Sequence, residues 1–140
     1  MRLSNVYGPR DGHKSDHVIP MFMDHIMKNK VPVISGDGNQ ARDFVYVKDV
    51  ADAVSLALKN KGSEKVFNIG TEKLVSVNDL FKKIKELLGS DIKAGYKDNN
   101  KGEVNKICLS IKKAKKELGW GPKTGLSQGL KETIKWFKER

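Results

Sequence analysis

Short apolar runs alternate with longer amphipathic segments along the chain, and this alternation limits the possible folds more than any other feature. The runs hold three to five residues, as at 44–47 (FVYV) and 66–69 (VFNI). Runs of that length, bounded by polar residues or glycine, are typical of buried strands. The clearest helical stripe consists of Leu80, Phe81, Ile84, Leu87 and Leu88. Strands and helices that alternate with short loops predict an α/β fold or a mixed α+β fold, without fixing its topology.

The pattern assigns elements along the whole chain. We predict strands at residues 2–6, 31–35, 44–47, 66–69 and 107–109. Helices are predicted at residues 18–28, 50–60, 77–88, 111–118 and 126–138. No internal repeat, low-complexity tract or linker divides residues 1–140, so we draw no internal domain boundary.

Three predicted helices follow a residue that could cap them. Asp49, Ser76 and Ser110 each precede a periodic apolar segment. The side-chain oxygens of Asp and Ser can accept hydrogen bonds from the first free N–H groups of a helix. Asp79 follows Ser76 by three residues, which is close to a capping box, and Gly89 stands where a left-handed residue would end the helix. These residues therefore predict where helices begin and end.

The chain is strongly basic, with a formal net charge of +10 over 140 residues. Residues 91–140 hold 13 Lys or Arg against 6 Asp or Glu, so most of the excess lies in the last third. A basic surface can bind nucleic acid, but no Arg-rich or aromatic-interleaved stripe accompanies these lysines. We interpret them chiefly as solvated faces of amphipathic helices, with part of the charge available for a small anionic ligand. A nucleic acid is not the expected partner.

Composition predicts a globular protein outside the membrane. Apolar residues make up 38% of the chain and charged residues 31%, and the apolar runs are too short to cross a bilayer. The first residues lack the apolar stretch of a secretory signal. Cys108 is the only cysteine, so no internal disulfide can form. A reducing compartment such as the cytoplasm fits that composition.

No catalytic motif stands out. Gly36 and Gly38 lack the third glycine and the helix start of a dinucleotide-binding loop, and no P-loop pattern occurs. His17 and His25 are eight residues apart and would share a helical face, but no cysteine or carboxylate is spaced to complete a zinc site. We therefore predict no catalytic residue and no metal site in this chain.

Polar residues lie in the loops at strand ends, where α/β proteins bind ligands. Asn5 precedes a Gly-Pro turn, Arg42 and Asp43 adjoin the FVYV strand, and Glu103 follows a glycine in a polar loop. Arg42 could hold a phosphate through two parallel hydrogen bonds, and Asn5 could bind an anion or a sugar. The alternative is structural, with Asn5 as a turn residue and the 42–43 pair as support for a loop.

A series of motifs runs in order along the whole chain. They are RLSNVYGPR (2–10), VIPMF (18–22), PVISGDGNQARDFVYVKDVADA (32–53), FNIG (67–70), SVNDL (76–80), KAKKELGWGP (113–122) and LSQGL (126–130). The series resembles the extended short-chain dehydrogenase/reductase family of NAD-dependent epimerases and dehydratases, whose members include UDP-glucose 4-epimerase and dTDP-glucose 4,6-dehydratase. The resemblance implies the C-terminal, substrate-binding part of a Rossmann-type α/β enzyme.

The resemblance also implies ligand contacts. The implied substrate-binding residues are Asn5, Val18, Val33, Ile34, Ser35, Gln40, Arg42, Asn100, Lys101 and Glu103, and the implied cofactor contact is Ser4, near the nicotinamide end of NAD. Asn5 and Arg42, with Gln40 beside it, would hold the diphosphate, which would also face the helix that begins at Val18. Backbone groups of residues 33–35 would contact the nucleotide base, and Glu103 would bind a ribose hydroxyl.

The sequence departs from the family pattern in two ways. Family members usually carry an Arg where Asn100 stands, and Lys101 beside it could substitute only as a point charge. The family's glycine-rich NAD loop and its Tyr-x-x-x-Lys pair do not occur in these 140 residues. The resemblance therefore implies a C-terminal sugar-nucleotide-binding portion at residues 1–140, inactive alone, with NAD bound mainly by an absent N-terminal domain.

The expected function is binding of a UDP- or dTDP-sugar as part of an NAD-dependent sugar-nucleotide epimerase of the UDP-glucose 4-epimerase type. Two alternatives stay open: a dTDP-glucose 4,6-dehydratase-like protein, and a non-enzymatic basic chain that binds nucleic acid or a partner protein. The strands at 2–6, 44–47 and 66–69 resemble family strands that complete a larger sheet, so alone they would leave unpaired edges. We therefore expect a homodimer, pairing with an N-terminal half, or marginal stability.

Overall fold

The computed structural model describes residues 1–11, 17–63, 66–98 and 104–139. Strands and helices alternate along these segments. The strands are β1 (Arg2–Leu3), β2 (Asn5–Tyr7), β3 (Val33–Ser35), β4 (Ala41–Tyr46), β5 (Asn68–Ile69), β6 (Leu74–Ser76), β7 (Gly95–Lys97) and β8 (Lys106–Ile107). The helices are α1 (Val18–Met27), α2 (Val47–Lys59), α3 (Val77–Leu88), α4 (Lys112–Leu118) and α5 (Leu126–Lys138). This order confirms the mixed α/β fold class.

The largest sheet is built around β4. The second half of β4 pairs in parallel with β2, with Asn5 opposite Phe44 and Tyr7 opposite Tyr46. The first half pairs antiparallel with β6 and parallel with β8. Two further parallel pairs join β1 to β5 and β3 to β7. Because each parallel connection passes through at least one helix, helices cover the faces of the sheets, as in other α/β proteins.

The single strand predicted at 2–6 is two strands with different partners. β1 pairs with β5 and β2 pairs with β4, and Ser4 lies between them. The Ser4 N–H donates to the Ile69 carbonyl at 2.9 Å, whereas the Ser4 hydroxyl donates to the Asp43 carbonyl. The backbone therefore crosses from one pairing to the other at this residue. The prediction was wrong because an apolar run indicates extended backbone and says nothing of its partners.

Two strands, β6 and β7, were not predicted. β6 lies directly before α3, and β7 begins at Gly95 and carries Tyr96 as its one large apolar residue. β7 lacks an apolar run, whereas the run at 74–77 (LVSV) continues directly into the helical pattern of α3. β4 also begins at Ala41, three residues earlier than predicted, because Arg42 and Asp43 are part of the strand.

Side chains of β4 pack into two separate apolar clusters. Phe44 and Tyr46 belong to a cluster closed by α1, α3 and α5. Val45, between them, belongs to a second cluster that includes Ile69, Trp120 and residues of α2 and α4. Alternate side chains of a strand point to opposite faces, so β4 is the wall between the clusters. Each fully buried apolar side chain contributes about 2 kcal/mol to folding.

α3 begins and ends as predicted. The Ser76 hydroxyl oxygen accepts a hydrogen bond from the Asp79 N–H at 3.0 Å. Leu80 and Ile84 are fully buried on its inner face, and Gly89 ends the helix in the left-handed conformation at φ 64°. The bounds of α5 are also those predicted. No helix in the described part of the chain is long and apolar enough to span a membrane.

Asp49 does not cap a helix as predicted. α2 begins at Val47, directly after β4, so Asp49 lies in the first turn, where it is 3% exposed. Its carboxylate accepts hydrogen bonds from the N–H and the hydroxyl of Thr124, at 3.0 and 3.2 Å. Its carbonyl accepts one from Trp120 Nε1 at 2.9 Å. Asp49 therefore ties the segment before α5 to α2.

Ser110 does not cap α4 either. The helix begins at Lys112, and the residue before it, Ile111, makes no side-chain cap. A residue far away in the sequence binds the start of the helix instead. The carboxylate of Glu72, in the loop after β5, accepts a hydrogen bond from the Ile111 N–H at 3.1 Å. The Ser110 hydroxyl donates to the same carboxylate at 3.4 Å.

Candidate functional site

A cavity of about 450 Å³ lies between β2, β4 and the first turn of α1. Its polar lining consists of residues on or next to three elements: Ser4, Asn5 and Tyr7 at β2, Gln40 and Arg42 at β4, and Asp11 and His17 before α1. The cavity thus brings together residues that are up to 73 positions apart in the sequence (4 and 77).

The pairing of β2 with β4 places Asn5 and Arg42 on one face. Asn5 lies opposite Phe44, and Arg42 precedes Phe44 by two residues, so all three side chains share that face. Asn5 Nδ2 donates to the Asp43 carbonyl at 3.2 Å. Arg42 Nη1 donates to the Ala41 carbonyl at 3.0 Å and to the Asn105 carbonyl at 3.2 Å. These bonds restrict how the amide and the guanidinium can turn.

Gln40 connects the cavity to β3. Its Nε2 donates to the Ser35 carbonyl at 2.8 Å. Val33, Ile34 and Ser35 form β3, pair with β7, and do not line the cavity. The Ile34 side chain is instead buried in the first apolar cluster. Gln40 therefore stands between β3 and the cavity.

The first turn of α1 offers backbone N–H groups to the cavity. Val18 and Ile19 line it, and the side chain of His17, the residue before the helix, does not cap those groups. Uncapped N–H groups and the positive end of the helix dipole favour an anion at this position.

Asp11 and His17 form a pair beside that helix end. Asp11 Oδ1 lies 2.9 Å from His17 Nδ1. The Asp11 side chain is 14% exposed and the His17 side chain is 67% exposed, so the carboxylate lies deeper than the ring.

Tyr7 is a buried phenol in the wall of the cavity. Its hydroxyl donates to the Leu126 carbonyl at 3.4 Å. Burial raises the pKa of Tyr7 far above its ordinary value, and the neighbouring Tyr46, Asp49 and Glu132 raise it further. The hydroxyl therefore stays protonated at neutral pH and cannot act as a base.

Five of the residues proposed for the site line this cavity. They are Ser4, Asn5, Val18, Gln40 and Arg42. Asn100, Lys101 and Glu103 lie outside the described residues. Within the described residues, no group of three or more His, Cys, Asp or Glu side chains could hold a metal ion.

The sequence reasoning missed seven lining residues: Val6, Tyr7, Asp11, His17, Ile19, Phe44 and Val77. Tyr7 follows Asn5 by two residues and Phe44 follows Arg42 by two, so strand alternation could have placed both on the cavity face. Asp11 and His17 carried no such signal, because they belong to no strand and only the fold brings them to the cavity.

Comparison with known sequences identifies relatives that are longer than this chain. A family model described as "NAD dependent epimerase/dehydratase family" matches residues 1–70. A putative UDP-glucose 4-epimerase of Methanocaldococcus jannaschii is 48% identical over 139 residues, which are 99% of this chain and 45% of that protein. A UDP-glucuronate 4-epimerase of Thermodesulfobacterium geofontis is 37% identical over 140 residues, 99% of this chain and 42% of that protein. The chain thus spans less than half the length of these relatives.

Comparison with solved structures shows the same relation. The crystal structure of UDP-glucose 4-epimerase with UDP-glucose from Thermotoga maritima superimposes with a TM-score of 0.94 at 43% sequence identity. The match covers 99% of this chain and 45% of that one. The expected resemblance to a Rossmann-type epimerase fold is therefore confirmed.

Proposed function

The chain belongs to the NAD-dependent epimerase/dehydratase family, and from that premise we propose that it binds a nucleoside diphosphate sugar in the cavity between β2, β4 and α1. It acts as the substrate-binding part of a sugar-nucleotide epimerase of the UDP-glucose 4-epimerase type. The relatives' names support a UDP-sugar as the ligand, and the cavity supports an anionic one.

The proposal rests on one observation: a single cavity is lined by Arg42, Asn5 and the first turn of α1. A guanidinium and uncapped helix N–H groups favour an anion, and a side-chain amide adds a neutral donor. A diphosphate has several oxygens that can accept from all three. Gln40 is two residues before Arg42, and its side chain donates a hydrogen bond to the backbone of β3. We propose that the nucleotide base binds at β3.

This chain contributes little to the binding of NAD. In such enzymes bound NAD would supply the hydride chemistry, and the tyrosine of a Tyr-x-x-x-Lys pair would act as base. Ser4 lines the cavity, but its hydroxyl already donates to the Asp43 carbonyl, so it fits the edge of a cofactor site rather than its centre. The Tyr-x-x-x-Lys pair and the glycine-rich loop do not occur in these 140 residues. We therefore assign binding of the substrate to this chain, and hydride transfer to a partner that carries NAD.

Exposed apolar side chains support such a partner. On α2, Val54 is 43% exposed and Leu58, one turn later, is 84% exposed. Leu3 on β1 is 46% exposed, and within the described residues β1 pairs only with β5. Apolar faces and open strand edges favour association. We propose that an N-terminal half, or a second copy of this chain, covers these side chains.

Sedimentation velocity at micromolar concentration tests the association. A dimer, or a complex with a co-expressed N-terminal half, is the expected result. A monodisperse monomer that melts cooperatively would contradict it.

Isothermal titration with UDP-glucose tests the binding site. Arg42→Ala removes the charged donor and is expected to weaken binding about 10- to 100-fold, the effect of losing charge-assisted hydrogen bonds. Arg2→Ala is the matched control, because Arg2 is an exposed arginine on β1 that does not line the cavity. Absence of binding by the unaltered chain at millimolar ligand would overturn the proposal.

A second titration separates this function from binding of a nucleic acid. Binding of a polyanion to the lysine-rich surface would show a steep dependence on salt and would barely respond to Arg42→Ala. Tight, salt-dependent binding of single-stranded DNA, with no binding of UDP-glucose, would favour that alternative.

A further inference from the structure

Asp11 carries the wrong charge for a cavity that binds an anion. Its carboxylate lines the same cavity as Asn5 and Arg42 and is largely shielded from solvent, with 14% of the side chain exposed. Like charges repel more strongly in a partly enclosed cavity than in water. A bound diphosphate therefore requires that the charge of Asp11 be offset.

His17 lies where it can offset that charge. Its Nδ1 is 2.9 Å from Asp11 Oδ1, and two-thirds of its side chain is exposed. With Nδ1–H bonded to the carboxylate, Nε2 is an acceptor in the neutral ring and a donor only in the protonated ring. His17 also directly precedes the first turn of α1, where the anion is proposed to bind. An anion at that position favours the protonated ring.

Among the described residues, the other titratable groups of the cavity lining do not change charge in the neutral pH range. Within the described residues, the remaining titratable side chains of the lining are Arg42, which stays charged, and Tyr7, whose raised pKa keeps it neutral. Histidine is the side chain that ordinarily changes charge between pH 5 and 8. His13, Lys14 and Asp16 precede His17 in the sequence and lie outside the described residues.

We propose that binding of a nucleoside diphosphate sugar is coupled to protonation of His17, so that the Asp11–His17 pair is negatively charged when empty and neutral when the ligand is bound. One proton passes from solvent to Nε2, which then donates to a phosphate oxygen, while Nδ1–H keeps its bond to Asp11. This inference rests on the proposed function.

The sign of the pH dependence follows from the proton count. The bound state holds more protons than the free state, so affinity increases as pH falls and decreases as pH rises. One proton limits the change to about tenfold per pH unit.

Calorimetry measures this uptake directly. UDP-glucose is titrated at pH 7.5 in Hepes and in Tris, which release different heats on ionisation, so the difference in apparent enthalpy gives the protons taken up per ligand. UDP-glucose suits the test because both of its phosphates are esterified and gain no proton near neutral pH. We expect a net uptake of protons that does not exceed one per ligand, and an affinity about three- to tenfold higher at pH 6.5 than at pH 8.

Three variants assign the proton. His17→Asn keeps a residue that begins helices well and is expected to abolish the uptake and flatten the pH profile. His25→Asn is the matched control, since His25 lies at the other end of α1, contacts the Met21 carbonyl and does not line the cavity. Its uptake should equal that of the unaltered chain. Asp11→Asn removes the charge to be offset and should tighten binding at pH 8.

The outcomes separate this inference from the proposed function. Three results would overturn the coupling and leave the binding site unaffected. They are binding without proton uptake, proton uptake that persists in His17→Asn, and an Asp11→Asn variant that binds no more tightly than the unaltered chain at pH 8. Absence of binding at every pH overturns the proposed function and the coupling with it.

Discussion

The two faces of β4 show opposite uses of charge by neighbouring residues. Arg42 and Phe44 face the cavity, whereas Asp43 and Val45 point to the other side of the strand. Arg42 is partly exposed and its guanidinium borders a cavity of about 450 Å³. Asp43 is fully buried. One position thus borders the proposed ligand site, and the next supports the fold.

Asp43 holds the loop that follows β5. Its carboxylate accepts hydrogen bonds from the Thr71 N–H at 2.8 Å, from the Thr71 hydroxyl at 2.5 Å and from the Glu72 N–H at 3.3 Å. Thr71 is half-buried, so its N–H and hydroxyl depend on this carboxylate more than the N–H of the exposed Glu72 does. A buried carboxylate with several donors is strongly stabilising relative to its removal.

The two faces are not independent, because the Asp43 backbone joins them. Its carbonyl accepts from the Ser4 hydroxyl and from Asn5 Nδ2, and both of those residues line the cavity. We therefore expect a change at Arg42 to alter only the proposed ligand binding, whereas a change at Asp43 affects stability first.

The largest expected effect separates the faces directly. Asp43→Ala leaves the donors at Thr71 and Glu72 without an acceptor and should lower the free energy of unfolding by about 3 kcal/mol, whereas Arg42→Ala should cost less than about 1 kcal/mol. Urea denaturation followed by circular dichroism measures both. Equal losses for the two variants would show that the faces do not differ as described.

A glycine on the Asp43 side gives the next effect. A Cβ added at Gly70 would lie 2.4 Å from Asp43 Oδ2 and 3.3 Å from Ser4 Cβ. Because several hydrogen bonds hold the carboxylate in place, Gly70→Ala should cost about 2 kcal/mol, measured by the shift of the urea midpoint. Gly121→Ala is the control, since a Cβ there meets nothing within 4 Å. Similar urea midpoints for the two variants would mean that the Asp43 carboxylate and the loop after β5 can shift at little cost in stability.

The smallest effect concerns pH and the loop that Asp43 holds. Hydrogen bonds from Lys115 and from the Ile111 N–H lower the pKa of Glu72 below its ordinary value of 4.5. The folded chain therefore binds this proton less readily than the unfolded chain, so the stabilisation is complete above about pH 4.5 and is lost as pH falls below it. Glu72→Gln should flatten the decline of the melting temperature between about pH 5 and 3. An unchanged pH profile would contradict a role for this carboxylate.

Periodicity predicted the helices better than the strands. The bounds of α5 and the capping residue of α3 were correct, because apolar spacing and cap chemistry are local properties of the sequence. Asp49 was wrongly assigned as a cap because α2 follows β4 without a loop, and its carboxylate is used by Thr124, 75 residues away. The strands β6 and β7 depend on pairing with β4 and β3, which no local pattern shows.

The candidate site was predicted in part. The family motifs singled out Ser4, Asn5, Gln40 and Arg42, and the structure brings their side chains to one cavity, although their roles there stay proposals. Asp11 and His17 were not predicted, because they lie in no regular element and resemble ordinary loop residues.

The sequence by itself determined the fold class and the family, and it predicted an anionic ligand. Those properties follow from apolar periodicity, from ordered motifs and from the residue types at strand ends, all of which are read locally. Only the tertiary structure decided that Arg42 lines the cavity while Asp43 supports a distant loop, and that Asp11 and His17 share the cavity. The physical reason is that strand pairing and helix packing bring together residues that are far apart in the chain. Local spacing does not indicate which of those residues will be in contact.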